Sequence, residues 1–96
     1  MKIDKMKVQR VLEEHRALFL SIKKANRNFE LHISGKPRRN DFEIHGEGLT
    51  EDDVKKAAWS LYVIRLLMKY QKASIRKLRK WNQADLDTIK KLSVRK

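Results

Sequence analysis

The chain has 96 residues, 41% hydrophobic and 38% charged, and its 24 Lys and Arg against 12 Asp and Glu give a formal net charge of +12. At 11.5 kDa it makes a single domain over residues 1–96, able to bury about 65% of its unfolded surface in one modest core, which excludes a two-domain enzyme. The apolar content argues against disorder, and the lack of cysteine excludes disulfides, thiolate zinc sites and cysteine nucleophiles together.

A cysteine-free chain fits a reducing compartment, and the cytoplasm is the expected location. Residues 1–7 alternate charge with single apolar side chains and lack the apolar stretch of a secretory signal. The longest apolar region, residues 57–68, is interrupted by Ser60 and Arg65 and is shorter than the ~20 residues that span a bilayer. No membrane association is expected.

In chain order, Val8, Val11, Leu12, Leu18, Phe19 and Ile22 recur at three-and-four spacing, which predicts an amphipathic helix over about residues 4–27. Asp4 is the expected N-cap and residues 26–28 the stop. His15 shares the apolar phase, and reads as a hydrogen-bonded core or boundary histidine rather than a ligand. Next, Phe29, Leu31 and Ile33 alternate with Glu30, His32 and Ser34, and Phe42 and Ile44 alternate with Glu43 and His45. That period predicts a β-hairpin pairing Ile33 with Phe42 and Leu31 with Ile44, with Lys36, Pro37, Arg38, Arg39 and Asn40 at its tip. All three glycines and the single proline lie in this region, between residues 35 and 48.

Thr50 followed by Glu51, Asp52 and Asp53 is a helix start, a capping hydroxyl with acids at the positive helix end. Val54, Leu61, Met68 and Ile75 then recur every seven residues, with Ala57, Ile64, Gln71 and Leu78 between them. This unbroken phase predicts one continuous central helix of about 31 residues, a rod of about 47 Å. A globule of this length is only about 32 Å across, so the rod is expected to overhang. The competing reading is a break near residues 71–74, after which the chain folds back. A second stripe, Trp59, Tyr62, Val63, Leu66 and Tyr70, makes the first half of this helix apolar nearly all round. It is the expected core helix, and Trp59, Tyr62, Val63 and Leu66 are a candidate homodimer interface. Asn82 caps a short final helix with an apolar face of Leu86, Ile89 and Leu92, and residues 93–96 read as a frayed basic tail. The expected fold is therefore α+β, mainly helical, in the order α-β-β-α-α.

Charge is unevenly spread: the net is +5 over residues 1–28, −1 over 29–49, +6 over 50–81 and +2 over 82–96. The acids of the central helix fill its first turn, whereas Lys69, Lys72, Arg76, Lys77, Arg79 and Lys80 form a distal run with no acid among them. At three-and-four spacing these cations make a ridge about 16 Å long, comparable with a few phosphates along one strand. Charged runs on helices are usually solvated faces. Here the absence of interleaved acids, a pI near 10.2 and a second cluster at Lys36, Arg38 and Arg39 favour phosphate binding. Tyr70 and Trp81 bracket the run and are placed either to stack on unpaired bases or to pack where the last two helices meet. The helix order around Asn82 has the spacing of a helix-turn-helix, but Asp85 and Asp87 would repel phosphate there.

Paired strands would gather Glu30 opposite His45 and His32 opposite Glu43, competent as metal ligands or as an acid/base pair, yet more simply cross-strand contacts on an open face. No Gly-rich phosphate loop, serine nucleophile motif or zinc pattern is present, so the chain is expected to be no enzyme and to hold no metal or cofactor. The leading expectation is a small nucleic-acid-binding protein, for DNA or RNA, making mainly phosphate contacts in a regulatory or accessory role. The second is a protein-interaction module, an inhibitor or adaptor whose basic ridge docks on an acidic protein surface.

Overall fold

A computed structural model of the chain describes residues 4–26, 29–33, 36–37, 43–45 and 49–93, with the backbone alone at 43–45 and 75. The first helix, α1, spans Lys5–Ala25. The Asp4 carboxylate accepts from the backbone N–H of Met6 at 3.0 Å and of Lys7 at 3.3 Å, satisfying two amides that have no partner inside the helix. The stop is Asn26, whose extended backbone leaves the helix while its side-chain amide donates to the Ile22 carbonyl at 2.8 Å.

Strands β1, Glu30–His32, and β2, Glu43–His45, pair antiparallel with Glu30 opposite His45, Leu31 opposite Ile44 and His32 opposite Glu43. The molecule is mainly helical, as expected, but so short a pairing does not establish a hairpin. The anticipated tip residues Arg38, Arg39 and Asn40, and the Ile33 to Phe42 pairing, lie outside the described residues.

The central helix, α2, spans Glu51–Lys72, and Thr50 Oγ1 accepts from the Asp53 N–H at 3.1 Å. Its middle, residues 57–67, is covered on nearly every side, with only Arg65 exposed: Ala57, Ala58, Ser60, Val63 and Leu67 are each 0% exposed. Covering it takes three neighbours. Val8 and Leu12 of α1 pack on Tyr62, Val63, Leu66 and Leu67, while Ile22 joins Phe29 and Leu31 of the strand segment over Ala57 and Ala58. The Phe19 and Phe29 rings meet edge-on, with centroids 6.0 Å apart. The third cover is α4, Gln83–Ser93, which places Ile89 at 1% exposure in the first of these clusters. The Asp4 N–H donates to the Ser93 carbonyl at 3.1 Å, tying the start of α1 to the end of α4.

Two expectations are corrected here. The central helix is not a 31-residue rod. It ends at Lys72, and Ala73 is extended at φ −80° and ψ 135° before a short α3, Ile75–Leu78, and a turn to Trp81. Ser74 restarts the helix by accepting from the Lys77 N–H at 3.3 Å, and Trp81 then meets Tyr70 edge-on at 6.5 Å. A straight continuation would have carried Leu78 and Trp81 away from the core, whereas the break returns α4 to bury Ile89. Ser93, read as part of a frayed tail, is 0% exposed in the last turn of α4, its hydroxyl bonded to the Ile89 carbonyl.

Ser74 is the position where continuous and broken helices differ most. Its N–H donates to no backbone carbonyl among the described residues, and the extended Ala73 before it suits a following proline. Ser74→Pro should therefore cost only about 1 kcal/mol, the loss of one cap. An unbroken helix would lose about 3 kcal/mol or more, and equilibrium urea unfolding distinguishes the two.

Candidate nucleic-acid interface

The six cations of the distal run fall on three consecutive pieces of structure. Lys69 and Lys72 end α2, Arg76 and Lys77 lie on α3, and Arg79 and Lys80 form the turn that follows. The single straight ridge expected from an unbroken helix is thus bent at Ala73. All six side chains are exposed, and none forms an ion pair with a carboxylate of the described residues. The ion pairs Lys55 with Glu51 at 3.4 Å and Lys56 with Asp52 at 3.0 Å sit at the opposite end of α2. The charge of this helix is therefore polarised, compensated at its start and uncompensated at its finish.

Beside the cationic end lies a groove of about 430 Å³. Ile33, Leu66 and Trp81 give it apolar walls, Arg65 and Lys69 flank it with positive charge, and Tyr62 and Asp85 meet in it. The Arg65 guanidinium is held in place by donating to the Ile33 carbonyl at 2.9 Å, which uses one of its five N–H donors. The Tyr62 hydroxyl donates to Asp85 Oδ1 at 2.5 Å. Burial, reinforced by this carboxylate acceptor, pushes the Tyr62 pKa up to about 12, so the phenol is a fixed donor at neutral pH. The Asp85 carboxyl keeps its other oxygen for a further donor.

The sequence-derived candidates divide clearly. Lys69, Lys72, Arg76, Lys77, Arg79 and Lys80 are gathered at one end, and Trp81 borders the adjoining groove. Tyr70 and Trp81 contact one another at the junction of α2 with the returning chain, so Tyr70 is half-buried against the core. Lys36 is exposed but stands over the Trp59 ring, 5.9 Å from its centroid. Arg38 and Arg39 lie outside the described residues. The apolar stripe offered as a dimer face is mostly core: Tyr62, Val63 and Leu66 are 4%, 0% and 5% exposed within the single chain. Trp59 is half-buried, 5.5 Å from Tyr62 between ring centroids. Tyr62, Val63 and Leu66 are thus taken up by the chain's own core, and Trp59 is the member of the stripe that stays partly open.

Arg65 and Asp85 were not among the candidates. Arg65 reads in sequence as an interruption of an apolar run and Asp85 as an unfavourable charge near phosphate. For Arg65 the signal is positional, since residues 62, 65, 66 and 69 share one face of α2, whereas no spacing links Asp85 of α4 to that face. The Glu and His pairs of the strands are opposed in backbone register, and His32 Nε2 lies 3.8 Å from Glu30 Oε2 with both side chains exposed. Among the described residues no group of three or more His, Cys, Asp or Glu is gathered as a metal would require, and no helix is long and apolar enough to cross a membrane.

No family model, no curated protein and no solved structure shows significant similarity to this chain.

His15 has a structural partner: its Nδ1 lies 3.1 Å from the hydroxyl of Ser60, the polar residue inside the apolar run of α2. Burial holds the His15 pKa below the ordinary imidazole value, against a smaller opposing pull from Glu14. The unfolded chain then takes up a proton near pH ~6.5 that the folded chain accepts only at lower pH. Stability should consequently fall as pH drops from 7 through 6.5. His15→Gln should flatten that part of the urea midpoint against pH curve, and identical slopes for the two proteins would contradict the assignment.

Proposed function

We propose that this chain is a small basic nucleic-acid-binding protein, for DNA or RNA, that grips the phosphate backbone with Lys69, Lys72, Arg76, Lys77, Arg79 and Lys80 in a regulatory or accessory role. The observation that carries this reading is that none of those six exposed cations forms an ion pair among the described residues, whereas Lys55 and Lys56 at the other end of the same helix are paired with Glu51 and Asp52. Like charges three and four apart repel one another on a helix surface, so the folded chain bears a cost that a polyanion relieves. Each neutralised phosphate releases condensed counterions, giving affinity with little dependence on sequence. In the hairpin reading of residues 29–45, Arg38 and Arg39 supply a second contact to the same strand. Neither grip requires a metal, cofactor or catalytic group, and the cysteine-free composition suits the cytoplasm.

Binding to random duplex, single-stranded DNA and RNA at several salt concentrations tests the reading. The logarithm of affinity should fall with the logarithm of salt at a slope of about −4 to −6, as ~5 to 7 duplex phosphate contacts require. Arg76→Glu with Arg79→Glu should abolish binding while leaving the far-ultraviolet circular dichroism unchanged. No binding to any of the three at 50 mM salt would reject the proposal and redirect it to an acidic protein surface.

A further inference from the structure

We infer that the groove bordered by Trp81, Arg65, Lys69 and Asp85 is a base pocket, and that the preferred partner is therefore an unpaired strand carrying a guanine. This rests on the proposed grip on phosphate and goes beyond it, because backbone contacts alone distinguish neither single from double strands nor one base from another. Four features of the groove carry it.

First, the groove is continuous with the cationic end. Lys69 belongs to both, and Trp81 directly follows Arg79 and Lys80 in the chain. A strand laid along those cations thus passes the mouth of the groove. Second, at about 430 Å³ the groove lies within the range of about 300 to 1,000 Å³ in which small-molecule sites fall, whereas a base pair inside a duplex has no free face to offer it. Third, its walls are of the kind that receive a base. The Trp81 indole is half-buried, anchored edge-on to Tyr70, and with Ile33 and Leu66 it forms an apolar slot.

Fourth, the polar groups in the slot are ordered by sign. Asp85 is already fixed by the Tyr62 hydroxyl, a donor that burial keeps protonated, so the carboxylate is acceptor-only and seeks N–H groups. Arg65 and Lys69 carry donors and positive charge, suited to a phosphate or a carbonyl oxygen. Guanine alone among the four bases has two adjacent N–H donors, at N1 and N2, beside a carbonyl at O6, and so satisfies a carboxylate and a cation together. Uracil and thymine have a single ring N–H between two carbonyls and satisfy the carboxylate poorly. The role assigned to Asp85 also changes: a residue that would repel a phosphate at a helix start becomes the group that reads the base.

The test uses the full chain with heptanucleotides of uridine, one of them carrying a single central guanosine, at 50 mM salt. The indole N–H resonance of Trp81 and its fluorescence quenching in a Trp59→Phe variant report stacking. The guanosine strand should bind about tenfold more tightly than the all-uridine strand and shift the Trp81 signal, as a charge-assisted hydrogen bond to a base predicts. Asp85→Asn, which still accepts from Tyr62, should erase that preference, the two strands then binding within about twofold of one another, and should bind the all-uridine strand no more weakly than the parent chain because a charge that repels phosphate is gone. Trp81→Leu should weaken both strands by about 5- to 150-fold, the range for one stacked base. Equal affinity for the two strands with an unshifted Trp81 would overturn the base pocket and leave the phosphate grip standing. Absence of binding by either strand would overturn both.

Discussion

The middle of α2, residues 57–67, is apolar on nearly every side, and a helix of that kind is stable in water only when it is covered from several directions at once. α1 covers one side and the strand segment a second, with Leu31 and Phe29 over Ala57 and Ala58. The third needs a group that arrives after α2 in the chain, and Ile89 is that group. A helix running unbroken to Trp81 would hold the remaining apolar residues too far out to return. The break at Ala73 and Ser74 is thus a consequence of the core, and Ser74 makes it inexpensive by capping the next turn.

The same break arranges the charge. With the apolar faces of α2 consumed by the core, its distal cations have only solvent to face. The turn then adds Arg76, Lys77, Arg79 and Lys80 to Lys69 and Lys72 within a short stretch of surface. Folding gathers like charges that the extended chain holds farther apart, which lowers stability and raises the local potential. The groove beside these cations adds Arg65, alongside Lys69, to the same side of the molecule, next to the Trp81 ring. The Tyr62 to Asp85 hydrogen bond then fixes the carboxylate that lines the groove.

Much of this was legible in the sequence where the chemistry is local. Asp4, Thr50 and Asn82 each signal a helix start, and all three side chains cap as their neighbours require. The phase of Val8, Leu12 and Ile22 identifies the buried face of α1, and His15 finds a hydrogen-bonding partner in Ser60 as its position in that phase suggests. The end of α2 was legible only as the second reading, a break near residues 71–74, because the seven-residue phase of Met68, Ile75, Leu78 and Gln71 continues through it and favours an unbroken helix. Periodicity records which residues are apolar and says nothing of a single extended residue inserted between two helices. The status of Trp59, Tyr62, Val63 and Leu66 was hidden for a related reason: an apolar stripe does not reveal whether its cover comes from the same chain. The groove draws on Ile33, the middle of α2, Trp81 and the start of α4, and no spacing rule joins segments so far apart.

The most direct test of the cationic end as a working surface is a residue-resolved map of amide chemical shifts as a single-stranded oligonucleotide is added. A grip centred there predicts perturbations concentrated at Lys69 to Trp81, extending into Arg65 and Asp85, with the Lys55 and Lys56 end of α2 unmoved. Shifts clustered instead around the first turns of α1 or α2, or none at saturating oligonucleotide in low salt, would contradict it.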